Sequence, residues 1–466
     1  MASLLDNAVF VAASGGTGSF TVSTAAPGHQ LPAARGGTDG KTYRYRAQSS
    51  DLSEWEEGSA VASSTATVFT RVVAASSAGG TTTVNFTAPP TVAITIKAAD
   101  ILQFDDAMSL TAAQKSQGRA NLDVLKKNYI INGAMMVSQQ NGTTAGTTSG
   151  YYPVDEWQLI YSNGGAVSIA QVASTTPAGS PNRFRVTVTT ADAAVAAGDY
   201  SLISTRLEGL RVADLLLGTS SAKTFTMQFG VKAPAGTYGV EFRNSAANRA
   251  YLAEFTISAG EANTDVVKSV TLTGDLTGTW LKDTGVGLGI YIALMAGSSL
   301  QGTPNVWSGT NIHGSSNQFN FMGTISNVFE LFDVSLTEGS AAPAFQVPGF
   351  ASELALCQRY WEKSYDYSSA VGATTYTGSI LGISPGNVNR VFWNTPYSPK
   401  RSAPTLTAYS PQTGTSGKAG NLGNATDYTV SGTITAGHKN IAWSCSAGIP
   451  AVTDQLYIHW TADARL

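Results

Sequence analysis

Acid–base work on a glycosidic bond needs two carboxyl groups held about 5 to 9.5 Å apart. The acidic candidates are Glu54, Glu56 and Glu57; Asp105 with Asp106; and Glu330 with Asp333. Glu330 and Asp333, three apart on a strand, point to opposite faces, and adjacent residues diverge in the same way. These carboxylates read as solvated turns or structural hydrogen bonds, so no catalytic residue and no enzymatic activity are expected. The four histidines, His29, His313, His438 and His459, lie in no Gly-x-Ser-x-Gly or Cys-plus-His pattern. Cys357 and Cys445 fit no zinc spacing, and a single bridge between them stays open. Cys357 reads as a small apolar residue of a helix stripe. No metal site and no cofactor are expected.

Saccharide binding needs something different: exposed aromatic faces on which a sugar ring stacks, with amides, carboxylates or guanidinium groups nearby to pair its hydroxyls. Trp307, in Thr303-Pro-Asn-Val-Trp-Ser-Gly-Thr-Asn311 and followed by His313, fits this pattern, and its alternative role is to plug the end of a sandwich. Trp393, Tyr397 and Tyr409 lie beside Pro-rich and Ser-rich turns and complete the candidate glycan contacts. Trp157 and Trp280 fall in or near strands and read as core, and Trp55 reads as a packed residue at a turn. His459 alternates with Tyr457 on the last strand and reads as packed or interfacial. Tyr43 and Tyr45 alternate with Arg44 and Arg46, giving one aromatic and one cationic face. That cationic face is either a docking surface or a solvated one.

The elements that must position these residues are strands. The chain of 466 residues has 48 Gly, only 13% charged residues and a net charge of -3. A soluble domain carries about 25% charged residues, so this is a charge-poor, turn-rich, all-β composition. The 28 Lys and Arg are spread without clusters, which excludes the basic face that nucleic acid demands. The apolar run from Val286 to Ala296 is far shorter than the roughly 20 residues that span a bilayer, and it reads as a buried strand. No membrane insertion is expected, and the first residues lack the charged and apolar regions of a signal peptide.

Period-2 alternation and turn clusters divide the chain into four parts. Residues 1–98 form a small β domain with strands around Ser19–Ser23, Thr42–Arg46, Thr67–Val73, Thr82–Phe86 and Val92–Ile96. Residues 99–127 form a helical linker, with Thr111 and Gln114 spaced as a capping box. Leu110, Leu122 and Leu125 face neighbouring chains in one reading of this linker. Residues 128–348 carry strands at short intervals, interrupted by a helical-looking Arg206–Leu217, and suit an antiparallel jelly roll. Residues 349–466 open with a short helix whose stripe is Leu354, Cys357 and Trp361, then return to short strands.

Three blocks resemble phage virion proteins, especially tail fibres and related appendages. Trp55-Glu-Glu-Gly58, Phe69-Thr-Arg-Val-Val-Ala-Ala-Ser-Ser77 and Val84-Asn-Phe86 are similar to their N-terminal β module, with a Trp-Glu-x-Gly turn and with Arg71-Val72-Val73 replacing Arg-Thr-Val. Leu110–Leu122 with Tyr129-Ile-Ile-Asn-Gly133 resembles their neck segment. Val328–Gly339, Pro343–Val347 and Glu353–Trp361 resemble the closing strand and following helix of a carbohydrate-binding-module-like jelly roll. The resemblance covers residues 40 to 365. It implies a homotrimeric virion appendage assembled in the host cytoplasm, anchored to other virion proteins by its N-terminal domain and adhering to a cell-surface glycan. A collar, neck or head fibre without receptor, or a polysaccharide depolymerase, are its alternatives.

Overall fold

The computed structural model describes residues 5–96, 127–383, 391–437, 440–445 and 455–466. The expected linker helix, its three leucines and the pair Asp105–Asp106 lie outside these residues, as do His438 and the side chain of Cys445. The protein is all-β and antiparallel, as the alternation predicts, and divides into two compact units, Met1–Thr111 and Ala112–Leu466.

The first unit is a closed barrel of six strands: β1 (Val9–Ala12), β2 (Phe20–Ala25), β3 (Thr42–Gln48), β4 (Trp55–Ser63), β5 (Val68–Ser76) and β6 (Thr91–Ile94), in the order β1-β2-β5-β4-β3-β6. Period-2 alternation sends Phe10, Phe20, Tyr43, Tyr45, Phe69 and Val92 inward. Trp55-Glu-Glu-Gly58 is not the expected turn but the start of β4, with a bulge between Glu57 and Gly58. Gly58 is required there, because a Cβ would lie 2.1 Å from the carbonyl oxygen of Val72. The expected strand Thr82–Phe86 makes one isolated bridge, Phe86 with Gly16. Its Val84 N–H donates instead to Glu56 Oε2, at 2.8 Å.

Glu56 is fully buried and organises the barrel interior. Tyr45 donates to its Oε1 at 2.8 Å and Arg71 Nη1 at 2.9 Å, while Arg71 Nη2 donates to the carbonyls of Gly16 and Val84. The guanidinium lies 4.6 Å from the Phe20 ring centroid. Two charges taken out of water are tolerable only when paired and hydrogen-bonded in this way.

The second unit begins with a two-layer sandwich. Its strands are β7 (Tyr151–Val154), β8 (Trp157–Ser162), β9 (Ala166–Ala173), β10 (Asn182–Thr190), β11 (Tyr200–Glu208), β12 (Phe225–Lys232), β13 (Gly236–Arg243), β14 (Ala250–Ile257), β15 (Val266–Leu272), β16 (Val286–Ala296), β17 (Trp307–Ser308) and β18 (Val328–Glu338). One sheet runs β15-β12-β18-β10-β9 and the other β17-β14-β13-β16-β11-β8-β7. Between them lies a core that includes Trp157, Phe184, Phe229, Tyr238, Ile290 and Phe329. The apolar run expected as a buried strand is β16. The helical-looking stretch 206–217 is mostly not helix: β11 extends through Glu208, and only the single turn α1 (Gly209–Val212) and a 3-10 turn follow.

The helix expected near 351–361 is α2 (Phe350–Gln358), and its Cys357 is a buried free thiol beneath Tyr360 and Ile131. Then come β19 (Trp361–Lys363), β20 (Ile380–Ile383), β21 (Phe392–Pro396), β22 (Thr405–Tyr409), β23 (Lys418–Asn421), β24 (Thr426–Ala436), β25 (Asn440–Cys445) and β26 (Gln455–Asp463), which form a third sheet. Among the described residues no helix is long and apolar enough to cross a membrane.

Candidate functional site

β26 is the hub of the third sheet, pairing with β19, β20, β22 and β23. Leu456, Ile458, Trp460 and Ala462 pack into a core with Val391, Trp393, Ala408 and Ala419. The alternate residues Tyr457 and His459 therefore share the opposite face. Register places Leu381 and Gly420 beside Tyr457, and Tyr409 beside His459. The segment between β19 and β20 folds over this face: Tyr365 stacks on His459 with centroids 3.7 Å apart, and Tyr376 meets Tyr457 edge-on at 5.2 Å. Tyr409 lies 6.3 Å from Tyr365.

His459 is a clip beneath this row of rings. The carbonyl of Thr375 can only accept, so Nε2 carries the proton and donates to it at 2.9 Å. Nδ1 then accepts from Ser364 Oγ at 2.9 Å, and Ser364 Oγ accepts the Trp460 N–H. His459 is completely buried and its burial holds the imidazole below its usual pKa. The same burial pushes the Tyr365 hydroxyl up to about 12. A serine–histidine contact sealed under a tyrosine ring fastens the segment to the sheet.

The outer part of the face is open. Tyr376, Tyr409 and Tyr457 are half-buried, while Leu381 and Gln455 are exposed. The Tyr457 hydroxyl donates to Gln455 Oε1 at 3.1 Å. Asp427 borders it, fixed by Ser410 Oγ at 2.6 Å and by Thr413 Oγ1. Flat rings flanked by an amide and a carboxylate match the stacking and hydroxyl-pairing that a sugar demands.

The sequence-predicted residues scatter across the fold. Tyr409 belongs to this face, but Trp393 is 1% exposed, with its indole N–H on the Leu456 carbonyl. Tyr397 is also buried, its hydroxyl donating to the Gly437 carbonyl. Neither can offer a ring to a sugar, because both fill the core beneath β26. Trp307 is half-buried against Tyr251 and Trp280, its indole N–H donating to Thr273, and so closes the end of the sandwich. His313 is buried beside Glu241, Nδ1 to Oε2 at 2.7 Å, and presents no free edge. In the barrel, Arg44 and Arg46 do project opposite Tyr43 and Tyr45, Arg44 half-buried, Arg46 exposed and 5.4 Å from the Trp55 ring.

Four of the acidic candidates are held in hydrogen bonds or ion pairs. Glu54 accepts from Thr87, and Glu56 is the buried partner of Arg71. Glu330 pairs with Arg183 and Arg185. Asp333 sits at φ 49° where β18 slips register against β12, and it accepts from Thr176 and Ser180. Strict alternation from Glu330 to Asp333 therefore breaks at this bulge. Among the described residues no group of three His, Cys, Asp or Glu could hold a metal ion. Sequence reasoning missed Tyr376, whose segment has no period; Tyr457 and His459 were readable as one face from their spacing of two.

No model of a protein family matches the chain, and no curated protein matches it. Solved structures similar to it include the enzymatically active domain of tailspike protein 4 of bacteriophage CBA120, at 12% identity and a TM-score of 0.26 over 46% of this chain. An arabinose-bound α-L-arabinofuranosidase is similar at 10% identity and a TM-score of 0.26, also over 46% of this chain. A family 11 carbohydrate-binding module of a Clostridium thermocellum cellulase is similar at 12% identity and a TM-score of 0.23, over 42% of this chain and 96% of the module. The match spans 21% of the tailspike chain and 27% of the arabinofuranosidase chain. The expectation of no enzymatic activity is corrected: the solved structures similar to this chain include an enzymatically active tailspike domain and an α-L-arabinofuranosidase.

Proposed function

We propose that this chain is an appendage of a phage virion that adheres to a cell-surface polysaccharide through the Tyr376–Tyr457 face. In this reading residues 1–98 attach it to other virion proteins, 99–127 link, 128–348 form the jelly roll and 349–466 the distal part, in a homotrimer. The observation that carries the adhesive role is the half-buried, edge-to-face pair Tyr376–Tyr457 beside exposed Leu381 and Gln455. The virion role is supported by the three sequence blocks that resemble tail-fibre proteins. The Arg44–Arg46 face of the barrel is the proposed docking side.

The test follows cell retention and polymer length together, with the full chain on host cells and their purified surface polysaccharide. The expected result is retention, weakened about fivefold or more by Tyr376→Ala with Tyr457→Ala, since each stacked ring contributes about 0.5–1.5 kcal/mol. Shortened polymer would make the chain a depolymerase. A folded chain that neither binds nor cuts would leave a collar, neck or head role.

A further inference from the structure

A cleft of about 410 Å³ lies on different strands of the second unit, between β18 and the extended segment 343–348 that follows it. The volume falls within the roughly 300–1,000 Å³ of small-molecule sites. In its wall stand Ser335 and Thr337, 4% and 1% exposed, and neither hydroxyl makes a hydrogen bond. Two adjacent same-face positions of one strand thus carry buried hydroxyls that nothing in the described residues satisfies. A buried hydroxyl without a partner carries a desolvation cost that an incoming hydroxyl relieves.

The remaining walls define what fits. Arg211 is held in place by the carbonyls of Asn128, Tyr129 and Ile130, and Glu353 by the Asn132 N–H. One cation and one anion leave the cleft without a net charge to select an ionic ligand. Phe345, half-buried, and Ile130, buried, supply apolar surface. An apolar pocket with a few fixed polar groups and unpaired hydroxyls suits a neutral ring bearing hydroxyls of its own.

We infer that this cleft is a second carbohydrate site, taking one neutral pyranose unit whose hydroxyls pair with Ser335 Oγ and Thr337 Oγ1 while its ring lies against Phe345. It stands on its own observations and does not need the tyrosine face to bind. The unit can be a free sugar or one residue of a longer chain.

Titration calorimetry and thermal unfolding of the full chain test it with glucose, galactose, mannose and N-acetylglucosamine, and with their methyl glycosides and trisaccharides. At least one is expected to bind and to raise the unfolding temperature of the second unit, and to do so unchanged in the Tyr376→Ala, Tyr457→Ala protein. Ser335→Ala with Thr337→Val should weaken binding tenfold or more and leave the ligand-free unfolding temperature the same or higher, because no hydrogen bond is lost. Phe345→Leu, on an exposed segment, should weaken binding without touching the sheet. Binding of glycosides as tight as of free sugars indicates a chain unit, and binding of free sugars alone a soluble ligand; either supports the site. The inference is overturned if no sugar binds, if the hydroxyl variant binds unchanged, or if binding disappears with the two tyrosines. Failure here with retained cell adhesion would leave the tyrosine face standing.

Discussion

Glu56 and Arg71 show how a charge-poor protein uses the few charges it has. With side chains 0% and 3% exposed, the pair has no water to fall back on. Glu56→Gln keeps the shape but strands a buried guanidinium, and should destabilise the barrel by about 3–5 kcal/mol. Denaturant-dependent hydrogen exchange at the Tyr45 and Phe69 amides would read this directly, and a Glu56→Gln, Arg71→Met protein should recover part of the loss. His459 gives a pH dependence of definite sign. A buried imidazole held below its usual pKa contributes stability that is fully present above about 6.5 and is lost as pH falls from there toward its depressed value. Acid titration should therefore loosen the segment 364–379 first, visible as faster exchange at the Tyr365 and Trp460 amides, and Ser364→Ala should weaken the clip at every pH. At this scale alternation was legible wherever it held, as at Tyr43 and Tyr45. Trp393 was not, because it is buried by β26, more than sixty residues further along.

The elements were read most securely where a strand stands alone against a core. β16 was plain as an apolar run, and α2 from Leu354 and Cys357, although Trp361, the third residue of the expected stripe, belongs to β19. Errors fell where a side chain took over a backbone group or the register slipped. Val84 gives its N–H to a carboxylate and so leaves the ladder, and β11 runs past Arg206 because its partner β16 extends that far. Neither choice is encoded locally. Cys357 makes the packing of α2 measurable: burial pushes its thiol well up, with the carboxylates Asp155, Glu156 and Glu353 acting in the same direction. It should resist iodoacetamide at pH 8 in the folded protein and react only when α2 detaches, so the labelling rate against denaturant reports the docking of that helix.

At the scale of the whole molecule the composition announced the class, since few charges and many glycines leave little besides sandwiches and barrels. What it left unread is how strands distant in sequence meet: Asn128 and Tyr129 are tied to β18 two hundred residues later, through the Leu336 N–H and carbonyl. The second unit should consequently fold slowly, as non-local pairing predicts. The first unit closes on itself, β1 pairing with β6 within its own residues. Residues 1–111 produced alone should unfold cooperatively and exclude solvent from the Tyr45 and Phe69 amides as in the full protein. Six strands that close into a ring keep every ladder bond among themselves, leaving no frayed edge on either side of a cut. The stretch of gene encoding them can therefore be joined to unrelated coding sequence without loss, which makes this barrel a cassette that recombination can pass intact from one genome to another.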